Sequence, residues 1–285
     1  MSGLKEEQGT FQSFDGLKLF YRYYSAGPST PLLILLHGHG EHSGRYEKFA
    51  QILADEKISI ASFDFRGNGR SEGREVHVNY FEEYLEDVSS FIASLKQRYQ
   101  VPEKVTFLGH SLGGLVAVHW ARRFPEKLEG LILSSPCLGL ILPGFLKVFN
   151  SFLNEWVPRL SYRNPVYPPH LSHHPEEVAL YRNDPFIKRK MTVRLLHEML
   201  RYMTRLDHLD VIRYPFPVYI LMAELEKVVD PFRTKAFFDK VQAPAKKMIV
   251  FPGFYHEIFN ERDQEKVFNS LKECLREIQQ KRASA

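Results

Sequence analysis

Apolar and polar positions alternate over Thr10–Tyr24 (TFQSFDGLKLFYRYY), on either side of an Asp-Gly pair. That pattern predicts a β-hairpin turning at Asp15–Gly16. Leu32–Leu36 (LLILL) is then apolar without a break between Pro31 and Gly38. A strand buried on both faces, as in a parallel sheet, has this pattern. Tyr46–Glu56 has helical spacing at Phe49, Ile52 and Leu53. Ile58–Phe63 is strand-like, Phe81–Tyr99 is a long amphipathic helix, and Val105–Leu108 is again a strand. A helix over Leu112–Arg123 and a strand over Gly130–Leu133 follow. The rhythm resumes late with a strand at Val218–Met222, a helix at Thr234–Val241, a strand at Met248–Phe251 and a closing helix at Gln264–Gln280. Strands alternating with helices predict an α/β fold, a mostly parallel central sheet flanked by helices.

The middle of the chain breaks this rhythm and shows no convincing strand. Phe145, Phe149, Phe152, Leu153, Trp156, Val157 and Leu160 form one apolar stripe, with Lys147, Asn150, Ser151, Asn154 and Glu155 opposite. A second helix carries Leu195, Leu196, Met199, Met203 and Leu206 on one face. An all-helical insertion in an α/β core is expected to be a cap, or lid. The expected division is therefore a core in two parts, 1–136 and 215–285, with a helical cap over 137–214.

Composition narrows the class. The 285 residues are 44% apolar and 25% charged, which fits a globular protein with a large core. The net charge of +4 is scattered, and no nucleic-acid module is present, so no nucleic-acid partner is expected. Two cysteines, Cys137 and Cys274, cannot build a disulfide framework, and they point to a reducing, cytoplasmic setting. The N-terminal MSGLKEEQGT lacks the apolar segment of a signal peptide. No apolar run reaches the roughly 18 residues of a spanning helix.

The chemistry centres on Gly109–Gly114 (GHSLGG). It contains G-x-S-x-G with Ser111 at the middle, between the strand VTFL and the helix that opens at Leu112. A nucleophile elbow needs that context: glycines let strand and helix pass closely, so the serine occupies a strained turn with its Oγ exposed. The partners then follow in the order acid, histidine. Seven histidines lie beyond Leu112, and His256 stands out because it follows a strand and precedes the last helix. For His119, His170, His173, His174, His197 and His208, a core or surface role is the better default. The acid should follow the preceding strand, where AELEKVVDP offers Glu224, Glu226 and Asp230, with Glu224 expected to face solvent or a loop. Glu226 has the expected spacing, and Asp230 has the usual residue type one turn later.

A rival signal is HGHGEHSGRY, residues 37–46, with His37, His39 and His42 around Glu41. The run is similar to the H-x-H-x-D-H zinc motif of the metallo-β-lactamase family. Such a site needs a further Asp ligand after His110, yet no Asp occurs between His110 and Asp184. It would also leave the elbow and His256 unexplained. His37 and His42 are instead expected to brace the loop by hydrogen bonds.

Taken together, these stretches resemble the monoacylglycerol lipase/lysophospholipase family of the α/β-hydrolase superfamily. The likeness runs nearly end to end. It rests on HGHGEHSGRY, DFRGNGRSEG (Asp64–Gly73), GHSLGG, YRNDP (Tyr181–Pro185), ELEKVVD and GFYHEIFNE. The resemblance implies a serine carboxylic-ester hydrolase that releases fatty acid from monoacylglycerol-type lipids through an acyl-enzyme, with no cofactor or metal. Lysophospholipase and broad-range carboxylesterase are the alternatives. It further implies an oxyanion hole made by the backbone N–H groups of His39 and Leu112, and a head group faced by Arg45 and Tyr181. The family normally has Asp where this chain has Glu226. Phe259 stands where the family often has a polar histidine, which favours a broader ester range. The apolar stripe of the cap would line an acyl tunnel, touch a membrane surface peripherally, or pack on the core.

Overall fold

The computed structural model describes residues 4–164 and 166–283. Residues 1–3 and 284–285 of the expected core segments, and residue 165 of the expected cap, lie outside the described residues. Among those described, the main sheet contains β1 (Lys5–Gln12), β2 (Lys18–Ser25), β3 (Leu32–Leu36), β4 (Ser59–Phe63), β5 (Val105–His110), β6 (Leu128–Ser134), β7 (Val218–Ala223) and β8 (Lys246–Phe251). Their spatial order is β1-β2-β4-β3-β5-β6-β7-β8. The hairpin β1–β2 is antiparallel and pairs antiparallel to β4, and the remaining pairs are parallel.

Helices cover both faces: α1 (Glu47–Ile52), α2 (Glu82–Arg98), α3 (Leu112–Arg123), and, late in the chain, α7 (Pro231–Lys240) and α8 (Gln264–Ala283). The side-chain period of two in β3 divides the core between the faces. Leu32, Ile34 and Leu36 join Val88, Phe91 and Leu115 of α2 and α3. Leu33 and Leu35 join Phe49 of α1 and Val267, Leu271 and Leu275 of α8. That burial on both sides is why LLILL carries no polar residue.

Between β6 and β7 the chain forms α4 (Gly144–Trp156), α5 (Pro175–Asn183) and α6 (Val193–Asp207). It is not all-helical. Ser161–Arg163 pairs antiparallel with Lys190–Thr192. A three-residue ladder is too short to leave a period-two signal, and its halves are far apart in sequence. Ile212–Arg213 also pairs, parallel, with Val241–Gln242. The expected face of α6 is buried, with Leu195, Leu196, Met199, Met203 and Leu206 all joined to the core. Thr192 caps this helix by accepting the Leu195 N–H at 3.2 Å.

Helix α4 turns its apolar face outward. Phe145 is 71% exposed, Phe152 60% and Trp156 73%, while Asn150 and Asn154 are buried. The inward polar face meets the start of α6, where Asn150 Nδ2 donates to the Val193 carbonyl at 3.2 Å. A buried side-chain amide must be paired, and the free lone pair of a helical carbonyl can accept its N–H.

Candidate active site

The sharp turn from β5 into α3 holds Ser111 at φ 50° and ψ −117°, a backbone region that L-residues avoid. The flanking glycines make it possible. A Cβ at Gly109 would lie 2.6 Å from the Gly113 carbonyl oxygen, and one at Gly113 would strike the backbone of Leu36. Leu112 is the first residue of α3, so its N–H has no carbonyl four residues back within the helix. Gly38, His39, Ser111, Tyr181, His256 and Glu257 all line one small cavity of about 30 Å³, room for about two waters.

His256 follows β8, and Glu226 follows β7. The Glu226 carboxylate meets His256 Nδ1 at 2.9 and 3.0 Å. It also accepts the backbone N–H groups of Lys227 at 3.0 Å and Val228 at 2.8 Å. Burial raises the Glu226 carboxyl, but the His256 ring and the loop amides outweigh it and hold the group below its ordinary range. Burial lowers His256, and the Glu226 charge outweighs that and raises it above 6.5. Asp230, the alternative acid, is engaged elsewhere. It caps α7 by accepting the N–H groups of Phe232 at 2.9 Å and Arg233 at 3.4 Å.

The histidines of HGHGEH are turned to protein atoms. His37 donates from Nδ1 to the Gly38 carbonyl at 2.7 Å and accepts the Phe65 N–H on Nε2 at 2.9 Å. Burial pushes it down to about 4, so it is neutral at pH 7. His42 accepts the Gly44 N–H on Nδ1 at 3.2 Å and donates from Nε2 to Asp184 at 2.8 Å. Asp184 belongs to YRNDP, so this bond ties the loop to the segment between β6 and β7.

Arg45 is held on two sides. Its guanidinium donates to Glu41 at 2.7 Å and, through both terminal nitrogens, to Glu257 at 2.7 Å each. Glu41 in turn accepts the Gly38 N–H at 2.9 Å and the Tyr46 hydroxyl at 3.1 Å. Tyr181 lies buried against the Arg45 cation, 5.0 Å from its ring centre. Tyr181 therefore lines the serine cavity, and Arg45 is committed to two carboxylates. Sequence patterns had not marked Glu41 or Glu257 as its partners. The spacing of four between Glu41 and Arg45 was a usable hint, but nothing local links Glu257 to Arg45 across 212 residues.

The Serine aminopeptidase, S33 family matches residues 27–263. Human monoglyceride lipase is 31% identical over 258 residues, covering 87% of this chain and 82% of that protein. The chain belongs to this family. It is a serine hydrolase with the α/β-hydrolase fold. Phospholipase YtpA of Bacillus subtilis is 28% identical to this S33 hydrolase over 87% of its chain, and the match spans 96% of that protein. Among solved structures, the monoacylglycerol lipase of Paleococcus ferrophilus is 30% identical, with a TM-score of 0.79 over 90% of this chain and 97% of that one. A soluble variant of Saccharomyces cerevisiae monoglyceride lipase, solved with a substrate analog, has a TM-score of 0.84 at 20% identity, a shared fold.

Beyond Arg45 and Tyr181, the S33 hydrolase has an open groove of about 530 Å³. It carries charges of both signs. Lys48 and Glu177 face each other there at 3.6 Å. The Arg70 cation lies between the rings of Phe20 and Phe186, at 4.9 and 5.1 Å. Arg70 and Glu47, which both line the groove, make no ion pair among the described residues. No helix among the described residues is long and apolar enough to cross a membrane.

Proposed function

We propose that the chain hydrolyses monoacylglycerol-type carboxylic esters through an acyl-enzyme on Ser111. The observation that carries this reading is the Glu226–His256 hydrogen bond at the cavity that also holds the strained Ser111. His256 takes the Ser111 proton as Oγ bonds to the ester carbonyl carbon. The oxyanion is met by the N–H groups of His39 and Leu112, each donor contributing roughly 3 kcal/mol of transition-state stabilisation. The intermediate collapses, the carbon–oxygen bond to the alcohol breaks, and His256 returns its proton to that oxygen. Water then attacks the acyl-enzyme by the same route and fatty acid leaves. Glu226 keeps the proton on His256 Nδ1, so that Nε2 faces the reaction.

The relatives named as monoglyceride lipases support a glyceride ester as substrate. The charge pattern supports an ester over a free peptide N-terminus. An α-ammonium beside Ser111 needs an uncommitted carboxylate there, and the two that line the serine cavity, Glu41 and Glu257, are already paired with Arg45. We read residues 137–214 as the cap and the outward face of α4 as its contact with a lipid surface. Tyr181 then borders the leaving alcohol, and Arg45 supports that wall from behind.

The outer groove favours a second reading, a lysophospholipase. Arg70 and Glu47 offer one uncommitted charge of each sign, which suits a zwitterionic phosphate-bearing head. Rates on lysophosphatidylcholine and monoacylglycerol of the same acyl chain decide between the two. For the ester reading itself, Ser111→Ala should abolish both p-nitrophenyl ester turnover and fluorophosphonate labelling. Turnover that survives the substitution removes the acyl-enzyme.

A further inference from the structure

His39 occupies the position whose N–H is read above as an oxyanion donor, yet its side chain reaches into the cap. The ring donates from Nε2 to the Lys190 carbonyl at 2.9 Å. One residue on, the Gly40 carbonyl accepts the Lys188 N–H at 2.8 Å. Two consecutive loop residues are thus bonded to alternate residues of one cap segment. The fit is close, since a Cβ at Gly40 would strike the Lys188 carbonyl. Burial pushes the His39 ring down to about 4, so at neutral pH it carries one proton, and the bond uses it.

That cap segment is itself fixed. Lys190 pairs with Arg163 across the small antiparallel ladder. Thr192 Oγ1 donates to the Val76 carbonyl at 3.2 Å. Met191 is buried. The segment is a firm anchor, and the loop that carries the N–H hangs from it by one side-chain bond and one backbone bond. A donor acts on an oxyanion only within a few tenths of an ångström of its place.

We propose that the His39 imidazole is a positioning residue. Its bond to the Lys190 carbonyl sets the His39 N–H against Ser111, so the oxyanion hole is complete only while this cap segment is docked. The inference rests on the reading of the His39 N–H as an oxyanion donor.

The test compares His39→Ala with His39→Gln, which keeps a side-chain N–H of similar reach. It uses p-nitrophenyl butyrate, amide exchange at Lys188–Thr192, and binding of an alkyl trifluoromethyl ketone, which forms an oxyanion on Ser111. In His39→Ala we expect faster exchange at Lys188–Thr192, kcat down by roughly 10- to 100-fold, less than the largest loss from deleting a donor outright, and KM within twofold. Affinity for the ketone should fall in step with kcat, and His39→Gln should recover all three. Unchanged exchange overturns the link to the cap. Faster exchange with unchanged kcat and ketone affinity overturns the positioning role, and the ester reading is then left to the Ser111→Ala test. A fall in kcat without loss of ketone affinity places the effect outside the oxyanion hole and overturns the proposal.

Discussion

Arg45 and Glu257 meet through two parallel N–H···O bonds of 2.7 Å each, with both side chains buried. The pair joins two loops. Glu257 follows His256 directly, and Arg45 also holds Glu41, which grips the Gly38 N–H at the start of the HGHGEH loop. One cation therefore ties the loop that carries His256 to the loop that follows β3.

Arg45→Ala leaves two buried carboxylates without their cation. Breaking a buried pair from one side costs about 3–5 kcal/mol, and urea unfolding should report a loss in that range. Glu257→Gln should cost less, because Arg45 keeps Glu41. The pair also sets a pH dependence. Burial raises Glu257, and Arg45 outweighs it, so the folded carboxyl lies below its ordinary 4.5. A depressed carboxylate contributes stability above its unfolded pKa and loses it as pH falls toward the folded value. Wild type should lose stability as pH drops below about 4.5, and Glu257→Gln should show a shallower slope.

Glu226 and Asp230 separate by assay. Glu226→Gln should cut kcat by roughly 10³- to 10⁴-fold, because the neutral amide favours the wrong histidine tautomer. Asp230→Ala should leave kcat near wild type and lower stability by about 1 kcal/mol, the worth of a helix N-cap. The pH profile supplies a second readout. His256 is raised above 6.5 by Glu226, so the acid limb of kcat/KM should lie above that value. Without that carboxylate the strongest raising influence is gone, burial is opposed only by the weaker pull of Glu257 and Glu41, and in Glu226→Gln the limb should move to lower pH.

Ser111 carries backbone strain of about 1–3 kcal/mol for its conformation. Ser111→Gly should therefore be inactive and more stable than wild type by about 1 kcal/mol. Thermal unfolding of Ser111→Gly beside Ser111→Ala checks this. Equal stability of the two would remove strain from the account of the elbow.

Phe149, Phe152 and Trp156 of α4 are 55%, 60% and 73% exposed, so their loss removes little packing. Each buried aromatic side chain contributes about 1.5–3 kcal/mol on leaving water. Replacing Phe149, Phe152 and Trp156 by Ser should weaken flotation with phospholipid vesicles by at least tenfold. Turnover of a soluble short-chain ester should stay within twofold.

Much of this protein was legible without coordinates. The alternation of strand and helix, the elbow around Ser111 and the place of His256 all follow from local pattern and chain order. Each depends on residues within a turn or a strand of one another, where spacing dictates which side chains share a face. What only the tertiary structure decided spans long separations. Glu226 reaches the His256 ring while Asp230 is committed to α7. Glu257 closes on Arg45. The His39 ring finds the Lys190 carbonyl 151 residues away. The amphipathic pattern of α4 marked an apolar face but not its direction, because periodicity records two faces and not which one a neighbour needs. That choice fell to the tertiary packing, in which the Asn150 amide meets the Val193 carbonyl on the inner side and the phenylalanines stay outside.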